Sequence, residues 1–139
     1  MSQTTPAGYV LIADDDMDDI EILTSALKEI ESSLEVVVAE NGKHVLEQLH
    51  KNYVAVAEAP PCVLVMDMNM PKMDGRETVV AIKNHTHLKN IPILLFSSAK
   101  NKTDELFAEK WGVNYFQKPD TMQGMTEVAH VILEMCRTG

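Results

Sequence analysis

Cys62-Val63-Leu64-Val65-Met66-Asp67 is a short apolar run, β-branched at Val63 and Val65, that stops on a carboxylate. Pro60-Pro61 fences it on one side and Met70-Pro71-Lys72-Met73-Asp74-Gly75 on the other. A run this short, apolar at consecutive positions, suits a strand covered on both faces in a parallel sheet. Open parallel sheets carry their chemistry just beyond the carboxyl ends of the strands, which puts Asp67 where a reaction can occur. The competing reading is that Asp67 only ends the strand and starts a turn. What the other strands deliver to the same edge decides between them.

Four more strands are predicted around this one. Tyr9-Val10-Leu11-Ile12-Ala13 runs straight into Asp14-Asp15-Asp16-Met17-Asp18-Asp19, and Ile20, Leu23, Leu27 and Ile30 then recur at helical spacing. Leu34 to Val38 is the second strand, and Asn41-Gly42 opens a helix with Val45, Leu46, Leu49 and Tyr53 on one face. Tyr53 to Pro61 is a loose, Ala-rich connection to the opening stretch. Asp74-Gly75-Arg76-Glu77 has the form of a capping box for a helix from Thr78 to about Asn84. Ile93 to Phe96 is the fourth strand, ending on Ser97-Ser98. Asn101 or Thr103 caps the next helix, which turns Leu106, Phe107 and Trp111 inward and ends at Gly112. Val113 to Gln117 is the fifth strand, followed by Lys118-Pro119 and a last helix capped by Asp120 that runs to about Arg137. Strands alternating with helices imply parallel pairing and right-handed crossovers. The fold predicted is an open doubly wound α/β sheet of flavodoxin-like order, 2-1-3-4-5.

Composition sets bounds on this reading. At 139 residues, 45% hydrophobic and 24% charged, the chain has the make-up of one globular domain. Twelve basic residues against twenty-one acidic give a net charge of -9, and no Lys/Arg cluster could neutralise phosphates, so no nucleic-acid partner is expected. No apolar run approaches the roughly 20 residues a bilayer span needs. The Met1 to Pro6 stretch lacks the basic and apolar regions of a signal peptide, so no membrane and a cytoplasmic location are expected. Cys62 and Cys136 lie far apart in sequence and read as small buried hydrophobes in a reducing compartment. The five histidines read as solvated surface residues, although His85 and His87 are close.

In the predicted order, strands one, three, four and five are neighbours, so one crevice receives Asp14, Asp15, Asp16, Asp67, Ser97 and Lys118. Two like charges about 4 Å apart repel by roughly 1 kcal/mol in water and several times that in a partly dry cleft. Such a cluster either raises a pKa or binds a cation. Hard carboxylate oxygens with phosphate and water completing an octahedron describe a magnesium site. Lys118 and the Ser97 hydroxyl can take further phosphoryl oxygens. A carboxylate in such a site can itself be the nucleophile, and Asp67, on the central strand, is the acceptor expected.

The ordered set Asp14-Asp15, Asp67-Met68-Asn69-Met70-Pro71-Lys72-Met73-Asp74-Gly75, Ser97 and Lys118-Pro119 resembles the receiver domains of two-component response regulators, over nearly the whole chain. The resemblance implies Asp67 as phosphoacceptor. It implies Mg2+ held by the Asp15 and Asp67 side chains and the Asn69 backbone carbonyl, with Asp14 acting through water. It also implies Lys118 on the phosphoryl group, aimed by a cis bond to Pro119. Ser97 would bond the phosphoryl oxygen, and Tyr115 would be the aromatic switch that follows it inward. Asn69 and Ala99 stand where the family tunes loss of the phosphoryl group. Asp16, Asp18 and Asp19 exceed what one ion needs and read as negative charge in a first helical turn.

Two other acidic readings fail. A calcium loop starting at Asp14 needs Gly and Glu where the chain has Asp19 and Ser25. A phosphatase of the haloacid dehalogenase type needs an acid at Asn69 and a cap domain. The domain expected is residues 7–137, with a tail at 1–6 and no effector, so no separate enzymatic turnover is expected and output is a protein contact. The partners implied are a histidine kinase or histidine phosphotransfer protein and a target on the face of the fourth helix, fifth strand and fifth helix. The last helix is apolar over about half its circumference, which suits either a deeply seated helix or a surface for a homodimer or other partner. The alternative function is a degenerate receiver acting as a phosphate-independent scaffold.

Overall fold

A computed structural model describes residues 8–54 and 60–138. The expected tail at 1–6, and residues 55–59 of the expected connection before the third strand, lie outside the described residues. The elements are β1 (Val10–Ala13), α1 (Met17–Ile30), β2 (Val36–Ala39), α2 (Gly42–Leu49), β3 (Val63–Asp67), α3 (Gly75–Lys83), β4 (Ile93–Ser97), α4 (Lys102–Trp111), β5 (Asn114–Gln117) and α5 (Met122–Thr138). A π-helical turn over His50–Val54 prolongs α2.

All strand pairs are parallel and the order is β2-β1-β3-β4-β5, as expected. The three inner strands are buried at every position, which is why they read as unbroken apolar runs, whereas β2 and β5 are partly open. Their side chains alternate between two cores. Val10, Ile12, Val63, Val65, Leu94 and Phe96 face α1 and α5, while Leu11, Ala13, Leu64, Met66, Ile93 and Leu95 face the α2–α3–α4 side. Each of these side chains larger than Ala13, fully buried, stabilises the fold by about 1.5–3 kcal/mol.

The helix starts follow local chemistry. Asp16 caps α1, its carboxylate accepting from the Asp18 and Asp19 N–H groups. The capping box of Asp74 and Glu77 is present, Asn101 rather than Thr103 caps α4, and Gly112 ends α4 at φ 68°, a left-handed position. Three local expectations are corrected. The hydroxyl of Thr121, not Asp120, accepts from the Gly124 N–H at the start of α5. Leu106 is 52% exposed because it lies on the outer face of α4, while Phe107 and Trp111 pack against the core.

The third correction concerns the cysteines. Cys62 and Cys136, 74 residues apart, form a disulfide with Cα atoms 4.8 Å apart. The entry to β3 and the end of α5 meet at the pole of the sheet opposite its carboxyl edge, a proximity that distance along the chain conceals. The wide apolar face of α5 is used within the chain: Met125, Val128, Ala129, Ile132 and Leu133 are buried, and Val131 and Met135 pack against the same core. Among the described residues, no helix is long and apolar enough to cross a membrane.

Candidate functional site at the carboxyl edge of the sheet

Register brings the reactive groups together. Ala13 pairs with Met66, so Asp14, one residue on, falls level with Asp67. Ser97 pairs with Gln117, and the Lys118 N–H donates to the Ser97 carbonyl at 2.8 Å. Gly75 keeps the α3 loop close: its N–H donates to the Met68 carbonyl at 3.0 Å, and a Cβ there would stand 2.7 Å from the Asp67 carbonyl oxygen.

Asp14, Asp15 and Asp67 each place a carboxylate oxygen within 4.8 Å of the others. Asp14 and Asp67 are buried and Asp15 is exposed. The Asn69 N–H donates to Asp67 Oδ1 at 3.2 Å, and the Asp16 N–H donates to Asp14 Oδ1 at 2.9 Å. The Lys118 ammonium donates to Asp14 Oδ2 at 2.9 Å and to Asp19 Oδ2 at 2.8 Å, and stands 3.5 Å from Asp67 Oδ2.

Burial pushes the Asp67 carboxyl up from 3.8 to about 6, with Asp14 adding to the rise. The Lys118 ammonium and the Asn69 N–H pull the other way without overcoming it. Burial alone would lower the Lys118 pKa, but its hydrogen bonds to Asp19 and Asp14 outweigh that and hold it above the usual lysine range. The site is thus a fixed cation beside a crowded set of carboxylates. The convergence of Asp14, Asp15 and Asp67, all hard oxygen donors, fits a small divalent cation.

Other predicted residues sit nearby without touching the cluster. The Ser97 hydroxyl donates to the Ala99 carbonyl at 2.7 Å and accepts from the Ala99 N–H at 3.3 Å, so it is engaged in its own loop. The Tyr115 hydroxyl is buried without a hydrogen-bond partner. It borders a cleft of about 320 Å³ shared with Leu106 of α4. The cis bond expected before Pro119 is corrected: no peptide bond among the described residues is cis. The trans form is the lower-energy state of an X-Pro bond by about 0.5–1 kcal/mol, and Lys118 reaches the carboxylates with it.

Asp19 was the residue that sequence reasoning misplaced. It contacts Lys118 rather than only charging a helix end. The signal was available: side chains in a helix lean toward its N-terminus, so a carboxylate in the first turn of α1 falls back over the strand edge.

A parallel sheet in this order, with acids after β1 and β3 and a lysine after β5, defines a doubly wound domain that gathers its carboxylates and one ammonium at a single edge. The family model for the response regulator receiver domain matches residues 10–130, and the chain belongs to that family. It is 32% identical over 125 residues to the chemotaxis protein CheY1 of Helicobacter pylori, covering 89% of this chain and 95% of that one. It is 25% identical over 114 residues to the response regulator Rcp1 of Synechocystis, covering 82% and 78%. The solved structure of the phosphorylated cyanobacterial phytochrome response regulator RcpA superposes with a TM-score of 0.80 at 26% identity, covering 94% of each chain.

Proposed function

We propose that this protein is a phosphoacceptor, with residues 7–137 as its receiver, in which Asp67 takes a phosphoryl group from a histidine kinase or histidine phosphotransfer protein. The observation that carries the reading is the Lys118 ammonium 3.5 Å from the Asp67 carboxylate, in a site that also gathers Asp14 and Asp15. The RcpA structure, described as that of the phosphorylated protein, supports it.

In the transfer, an Asp67 carboxylate oxygen attacks phosphorus. The new O–P bond forms as the P–N bond of the donor phosphohistidine breaks, and its electron pair stays on the imidazole. Lys118 neutralises a phosphoryl oxygen, and Ser97 bonds another once it releases the Ala99 carbonyl. Mg2+ fits the donor set; Asp15, Asp67 and the Asn69 carbonyl would hold it, with Asp14 acting through water. When bound it offsets the charge of the phosphoryl oxygens and the carboxylates together.

Output follows from two observations. The Tyr115 hydroxyl has no partner to lose, and the cleft it borders carries the exposed Leu106. Movement of Ser97 lets Tyr115, whose hydroxyl is already buried, shift toward it, which alters the face of α4, β5 and α5 that a target protein meets. The protein turns over no separate substrate.

The test is incubation with acetyl phosphate and Mg2+, followed by intact mass, beside Asp67→Asn. A gain of one phosphoryl group in the parent alone supports the reading. No gain in either points to a phosphate-independent scaffold. Sedimentation of both forms reads whether phosphorylation makes a homodimer.

A further inference from the structure

The Lys118 ammonium has three N–H donors. Two of them meet Asp19 Oδ2 at 2.8 Å and Asp14 Oδ2 at 2.9 Å, while Asp67 Oδ2 stands farther off at 3.5 Å. All four side chains line one small cavity of about 20 Å³ beneath the strand ends. They therefore share a single, partly dry compartment in which charges are felt strongly. The two lysine partners differ in footing. The Asp14 side chain is 6% exposed and also accepts from the Asp16 N–H, whereas that of Asp19 is 35% exposed. Asp19 also stands outside the Asp14, Asp15 and Asp67 cluster that suits a cation. Among the described residues, its side chain meets the site through the lysine.

We propose that Asp19 is a positioning residue that shares the Lys118 ammonium with Asp14 and holds it back from Asp67 until a phosphoryl oxygen competes for it. The inference rests on the phosphoacceptor reading and names a residue which that reading does not need. Asp19 sits at the open rim of the compartment, so it can release the amine to water-exposed surroundings at little cost. Asp14, buried and held at both oxygens, cannot. Asp19 has two opposed effects. It adds a negative charge that a divalent cation feels as attraction. It also withholds the ammonium that an incoming phosphoryl donor meets.

Those opposed signs make the test specific. Asp19→Asn keeps the size and removes the charge. Half-saturating acetyl phosphate is expected to fall, and the lifetime of the phosphorylated protein to lengthen, by roughly three- to tenfold, the scale of one partly screened charge. Mg2+ affinity in the same variant is expected to drop by a similar factor. General damage to the fold would weaken both together. Asp19→Glu, which restores the charge, is expected to return both readouts toward the parent. Asp18→Asn, one residue away and exposed, is expected to change neither.

Equal behaviour of Asp19→Asn and Asp18→Asn overturns the proposal, as does a parallel loss of donor and Mg2+ affinity that Asp19→Glu fails to reverse. If the parent takes up no phosphoryl group, the phosphoacceptor reading fails by itself. The Lys118 side-chain nitrogen shift, expected to move in Asp19→Asn and to stay in Asp18→Asn, then still decides whether Asp19 holds the amine, and an unmoved shift in Asp19→Asn overturns the proposal.

Discussion

An aspartate attacks phosphorus as a carboxylate, yet burial holds half of Asp67 protonated near pH 6. On the proposed reading, the cation site and the nucleophile are thus coupled through one proton. A divalent ion binding at pH 6 is expected to displace roughly half a proton from Asp67, which follows from a midpoint at that pH. Proton release on adding Mg2+ in weak buffer measures it, and Asp67→Asn should abolish the release. The sign for stability follows from the same shift. The folded pKa lies above the ordinary 3.8, so this group's contribution is fully present below that pH and is lost as pH rises through about 6. Metal-free Asp67→Asn should therefore be more stable than the parent near neutral pH, with the difference vanishing in acid, as read by urea unfolding across the range. Lys118→Ala removes a group that pulls Asp67 down, so it should move the Asp67 midpoint, followed by carboxyl carbon NMR, further up.

The elements matter to this chemistry through the loops they end on. Gly75 begins α3 against the backbone of Asp67 and Met68, neither of which can move aside as a side chain could. Gly75→Ala is expected to displace the loop that carries Asn69, and to cut the rate of phosphorylation by acetyl phosphate at least tenfold while leaving helix content by circular dichroism nearly unchanged. α3 and α4 are joined by Arg76, whose guanidinium bonds the buried Asp104 carboxylate and lies 5.3 Å from the Phe107 ring centroid. Arg76→Ala leaves Asp104 with Asn101 as its side-chain partner and should reduce stability by about 1–2 kcal/mol in urea unfolding, less than a fully buried pair because Arg76 is partly exposed. At this scale the sequence was readable wherever local chemistry decides. Asp74 with Glu77 announces its own capping box, and Gly112 its own helix end. It misled where neighbours in space decide. Leu106 fits an apolar pattern but faces outward, and nothing near Asp120 tells that Thr121 captures the Gly124 N–H.

The molecule as a whole joins two ends that the sequence describes unequally. At the carboxyl edge, strand order alone makes Asp14, Asp67, Ser97 and Lys118 neighbours, so alternating strands and helices were enough to foresee the crevice. At the opposite pole, no pattern announces that residue 62 meets residue 136, since a covalent contact between a strand entry and a helix end has no periodicity. That contact closes a loop reaching from β3 through α5, and so ties the strand that carries Asp67 to the helix that follows Lys118. Closing a loop of this length restricts the unfolded chain and is expected to add about 2–4 kcal/mol of stability. Cys62 and Cys136 line a cavity of about 420 Å³ with Tyr53, Pro61 and His87, which is the expected route for a small thiol to the bond. Dithiothreitol should then lower the urea midpoint of the parent, while Cys62→Ala/Cys136→Ala should start at the lowered midpoint and not respond. Phosphorylation of the double variant by acetyl phosphate should match the parent within about twofold, because the bond lies at the far end of the sheet from Asp67. An unchanged midpoint on reduction would mean that packing of Leu133 and Ile132 against β3 and its neighbours holds this pole together without the bond.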